Sequence, residues 1–116
     1  MYFSSSVPAG AETHQVLRDG GELRRFAQSA APRDGHAATA IVAAADRTDF
    51  TSRVLVGRTR TTGCSQATAA SLAIAGDRLS LQVRQPKPAA ECLTAFHLTV
   101  VFGVPAERIP AHPVFD

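Results

Sequence analysis

The chain has 116 residues, a formal net charge of +2 and an apolar fraction of 45%. That length suits one compact domain with one hydrophobic core and is too short for two. Its twelve cations, of which only Lys87 is a lysine, are interspersed with ten acids. It therefore lacks the concentrated basic face that grips a phosphate backbone, and nucleic acid is not an expected partner. No apolar run approaches the length of a transmembrane helix.

Residues 1–13, rich in Ser, Ala and Gly, read as a loose leading segment with at most a short edge strand around Tyr2-Phe3. Residues 14–116 read as a single α+β domain. His14 to Arg18 is a short strand candidate. Asp19 then supplies a helix N-cap, and Glu22 three residues later completes a capping box. Leu23, Phe26, Ala27 and Ala30 follow at helical spacing, and Pro32 ends the pattern.

Everything after this helix reads as strand. Ala38 to Ala44, with Ile41 and Val42, is expected to be one, followed by a turn at Asp46–Asp49. Arg53 to Thr61, with Val54, Leu55 and Val56 in succession, is expected to be central in its sheet. Residues 68–75 and 79–84 alternate cleanly around Gly76-Asp77 and form a hairpin. The last long strand runs from about Cys92 to Val104. Phe96, Leu98, Val100, Phe102 and Val104 form its apolar face; His97, Thr99 and Val101 lie on the half-polar one. Pro105, Pro110 and Pro113 leave room for one short edge piece beyond. The expected fold is α+β and mostly antiparallel β, a curved sheet or small sandwich with one N-terminal covering helix.

The only cysteines, Cys64 and Cys92, stand at the ends of strand patterns. A structural disulfide between them is the favoured reading, with a reactive thiol or two unpaired core thiols as alternatives. A disulfide implies an oxidising compartment, so the chain is expected to be a mature secreted or cell-envelope form. The competing expectation is a cytosolic chain with free thiols. No signal-peptide pattern follows Met1.

The histidines at positions 14, 36, 97 and 112 lack zinc-ligand spacing, and no metal site or cofactor is expected. Gly57–Gly63 carries glycines, Thr and Arg but lacks the lysine and helix of a phosphate loop. No catalytic residue is assigned. His97, mid-strand among apolar neighbours, reads as a structural histidine, with a ligand or base as the sharper alternative. Arg58 and Arg60 fall on one side of their strand. They read as a solvated polar face or, together with Arg84, as a site for an acidic peptide.

The succession of VLRD, ELRRFAQ, VLVGRTRTTG, the hairpin and a final strand ending in VP resembles a family of secreted or lipoprotein domains. These are grouped with the C-terminal domain of the protease-complex-stabilising protein PrcB, here in a two-cysteine variant. Gly57, Thr62 and Gly63 match that family's turn, while Cys64 and Ser65 stand where Gly and Tyr are usual. The resemblance implies an envelope or secreted β-rich domain with a binding or stabilising role and no catalytic residue.

The expected function is therefore non-enzymatic binding of a protein partner, and the resemblance implies a protease-associated one. The surface is the loop Gly57–Cys64 with Arg58 and Arg60, beside the Pro86–Ala90 loop; Arg58, Arg60, Arg84 and His97 are the candidate binding residues. The alternative is a small enzyme or small-molecule binder with a cavity between helix and sheet, built around His97 or a thiol.

Overall fold

The computed structural model describes residues 2–6, 12–32, 34–87 and 95–116. In chain order they form β1 (Tyr2–Ser6), β2 (Thr13–Leu17), α1 (Gly20–Ala30), α2 (Gly35–Ala45), β3 (Arg53–Gly63), β4 (Ala69–Ala75), β5 (Arg78–Arg84), β6 (Phe96–Pro105) and β7 (Val114–Phe115). The fold is α+β and its strand pairings are mostly antiparallel. Among the described residues it has two α-helices, not one. The expected start of the last strand at Cys92 lies outside the described residues, as does Arg33.

The N-cap of α1 forms as its residues dictate, and the return bond from Glu22 falls one residue before the N-cap. Asp19 Oδ1 accepts from the Glu22 amide at 2.8 Å, and Glu22 reaches back to accept from the Arg18 amide. Leu23, Phe26 and Ala27 form its buried stripe.

Residues 38–44, expected as a strand, instead lie within α2. Six of the eleven residues of α2 are alanine, the strongest helix former. Asp34 caps it, accepting from the Ala37 amide at 3.1 Å. Ile41 and Ala45 are buried, and Ala38 and Val42 pack beside them. The 38/41/42/45 spacing is one helical face. The β-branched pair Ile41-Val42 suggested a strand, but this periodicity and the cap outweigh it.

β1, β6, β3 and β2 form a four-stranded antiparallel sheet in that order. The expected edge strand at Tyr2-Phe3 is β1, and β3 is central as its continuous apolar run implied. The second sheet holds the expected β4–β5 hairpin, with β7 added parallel to β5. Gly76, at φ +60°, opens the two-residue turn of that hairpin in a conformation that suits glycine.

The chain stacks in three layers. Both helices cover one face of the larger sheet, where Leu23, Phe26 and Ile41 meet Leu17, Leu55 and Val101. The smaller sheet covers the other, where Leu79 and Leu81 meet Val56, Leu98, Val100 and Phe102. The two faces expected for the last strand thus have separate partners. α1 sits close because β3 carries glycine beneath it: a Cβ on Gly57 would lie 2.8 Å from the Phe26 ring. At its far end β3 breaks register between Thr61 and Gly63, a bulge in which Gly63 takes φ +82°. This turn sets the position of Cys64.

Candidate functional site between the two sheets

Alternation along β3 sends Val54, Val56, Arg58 and Arg60 toward the smaller sheet. The first two complete the apolar core. The next two carry cations into the same interlayer space, closer to its mouth. Gly57–Gly63 is strand rather than loop. Arg58 is only 9% exposed, so the solvated-face reading is corrected for it, while Arg60 is half-buried. The second sheet folds over it.

Arg60 acts as a strut between the layers. Its Nη2 donates to the backbone oxygen of Asp116 at 3.2 Å, and its Nη1 makes a long 3.5 Å contact with the Leu81 carbonyl. The Arg58 Nη1 is buried and has no hydrogen-bond partner among the described residues. His14 of β2 stands opposite Arg58 in register, and its ring stacks on Phe115 at 4.3 Å. Burial, then the like charge of Arg60, pushes the Arg58 guanidinium below its ordinary value; Glu12 and Asp116 oppose the shift. The guanidinium remains charged at any physiological pH.

A buried cationic nitrogen without an acceptor is uncommon, because desolvation is offset only by hydrogen bonding or pairing. Its fork geometry matches a carboxylate. Arg58→Met keeps most of the stem's packing and removes the buried Nη1. Stability is expected to rise by about 1–3 kcal/mol, read by urea denaturation.

The four sequence-predicted binding residues occupy three places. Arg58 and Arg60 line the interlayer space. Arg84 is exposed at the end of β5, opposite Ala69, on the outer face of the smaller sheet. His97 belongs to the helix-side face of the larger sheet, paired with Thr61. Of the Pro86–Ala90 segment, Pro86 and Lys87 are exposed and residues 88–90 lie outside the described ones. Sequence reasoning missed His14, Phe115, Glu12 and Asp116 as neighbours of Arg58. Strand alternation could have placed His14 in that row once the β2–β3 register was known. Nothing in the sequence signalled that β7 would carry Phe115 over it.

His97 packs in a hydroxyl-rich row with Thr59 and Thr99, all three buried. The groove between the helices is lined by Arg24, Gln28, Thr39, Val42 and their neighbours, without His97. Burial lowers the His97 pKa below its usual 6.5, against a smaller opposing pull from Glu12. The unfolded chain therefore takes up this proton at a higher pH than the folded one. The stabilisation is complete above about pH 6.5 and is lost as pH falls through the folded-state value. His97→Gln is expected to flatten this part of the stability–pH curve in denaturation series from pH 7.5 to 5.

Cys64, half-buried beyond the bulge, is not a free thiol. Cys92 lies outside the described residues. Among the described residues no helix is long and apolar enough to cross a membrane, and no cluster of three or more His, Cys, Asp or Glu could hold a metal ion. No family model, curated protein or solved structure matches the chain.

Proposed function

We propose that this chain is a secreted or cell-envelope domain that binds a protein partner without catalysing a reaction, and that it takes a carboxylate of that partner onto Arg58. The observation that carries this reading is the buried Nη1 of Arg58, which has no acceptor among the described residues. A partner's Asp or Glu side chain, or a C-terminal carboxylate, would supply one. Arg60 adds positive potential beside it, and the His14–Phe115 stack forms a rigid wall. Such a desolvated charge pair, ringed by apolar contacts, is the usual form of an interface anchor.

The location rests on the cysteines. We propose that Cys64 is bonded to Cys92, the only other cysteine in the chain. That Cys64 is not free supports this pairing, and a disulfide in a domain this small belongs to an oxidising compartment. The likeness to the PrcB-associated domains agrees with such a role, although the argument from Arg58 is independent of it.

The test is a crosslinking pull-down from the envelope and culture fluid of the source organism, with wild-type and Arg58→Met proteins as baits. The expected result is a defined partner retained at least tenfold better by the wild type, while the variant is equally or more stable. Equal retention by both baits would remove Arg58 from the interface.

A further inference from the structure

At the side of the smaller sheet away from Arg58, β4 is an edge strand among the described residues. Its sequence, Ala-Ala-Ser-Leu-Ala-Ile-Ala, contains no charge, no proline and no bulge, and its register with β5 is continuous over all seven residues. Exposed edges are ordinarily blunted by one of those devices, because their free amides and carbonyls pair with any available strand. The two-residue turn makes Ala75 and Arg78 the closing pair. Alternation then directs the backbone groups of residues 69, 71, 73 and 75 to β5 and those of Ala70, Leu72 and Ile74 outward.

These three residues also border an open groove of about 320 Å³, whose other wall includes Phe102 and Val104 of β6. A chain pairing with the β4 edge would lay every second side chain against that apolar wall. At the groove's rim stands Arg108, exposed and without an ion-pair partner among the described residues. We infer that the β4 edge accepts an extended strand from a partner protein, with apolar residues at alternate positions and a carboxylate that meets Arg108. The recognition mode is strand addition, in which the backbone supplies affinity and the groove supplies selectivity. This surface is independent of the carboxylate site at Arg58.

The test uses three end-blocked hexapeptides of alternating Val and Thr, with Glu at the first position, Glu at the last, or Lys at the last. Each is added to the Arg58→Met protein, so that binding at Arg58 does not contribute, and amide exchange is followed by NMR. At saturation by one of the Glu peptides, exchange at Ala70, Leu72 and Ile74 is expected to slow at least tenfold. The Lys peptide should bind at least fivefold more weakly, and Arg108→Glu should reverse that order. A Glu peptide N-methylated at alternate amides should not protect the edge. Unchanged exchange at all three amides would overturn the inference. So would protection already present without peptide and dependent on protein concentration, because a second copy of the chain would then occupy the edge. Ala70→Pro, which removes one outward amide, should weaken the Glu peptide if the variant retains the β5 pairing; the exchange readout on the unaltered edge stands without it.

Discussion

Replacing Phe26 by alanine is expected to cost about 3–5 kcal/mol of stability, because its ring is 2% exposed and packs α1 onto Gly57 of β3. The partner of this contact is a missing side chain. Gly57 leaves the space in which the ring lies, and an alanine there would place its Cβ 2.8–2.9 Å from three ring carbons. Real contacts do not reach that distance, so the ring or helix must shift. Gly57→Ala alone is expected to cost about 1–3 kcal/mol. In a Phe26→Ala background the same substitution should cost nothing or recover stability, since it fills space the ring has vacated. Urea denaturation of the four proteins in this cycle measures the coupling. Additive costs would mean that α1 does not rest on β3 in the way described.

The second large effect concerns the cysteines. A Cys64–Cys92 bond closes a loop of roughly 30 residues, for which the chain-entropy estimate is about 3–4 kcal/mol. In a domain whose total stability is on the order of 5–15 kcal/mol, that is a large share. Reduction, or the double substitution of Cys64 and Cys92 by serine, is expected to lower the thermal midpoint by roughly 10–20 °C. Peptide mapping under non-reducing conditions identifies the bond directly. An unchanged midpoint after complete reduction would leave the fold without this constraint and remove the main argument for an oxidising compartment.

The elements readable from the sequence were those whose local chemistry and apolar period agree. α1 has a capping box followed by a helical stripe, and the β4–β5 hairpin has strict alternation around Gly76-Asp77. The two faces of β6 were assigned correctly from alternation alone. α2 reads as a strand when Ile41-Val42 outweighs the alanines around it, whereas Asp34 and the 38/41/42/45 spacing, both present in the sequence, specify the helix. The site was less legible for a different reason. Alternation shows that Arg58 and Arg60 share a face, but not what covers that face. The smaller sheet lies over the face that Arg58 shares, and Phe115, at the far end of the chain, reaches it by pairing with β5 and stacks on His14, the neighbour of Arg58 in register. His97 and Arg84 were grouped with the arginines as polar strand residues, yet they lie on other surfaces. Period-2 reasoning cannot relate residues on different strands until the strand order is known.

The most direct test of a carboxylate site at Arg58 is to follow the Arg58 side-chain Nε–H resonance by NMR during titration with an end-blocked tripeptide centred on aspartate. The account predicts a saturable shift of that resonance, accompanied by Arg60 and His14, absent with the corresponding asparagine peptide and absent in Arg58→Met at the accompanying residues. No shift at Arg58 up to high-millimolar peptide, or the same shifts with asparagine in place of aspartate, would contradict it.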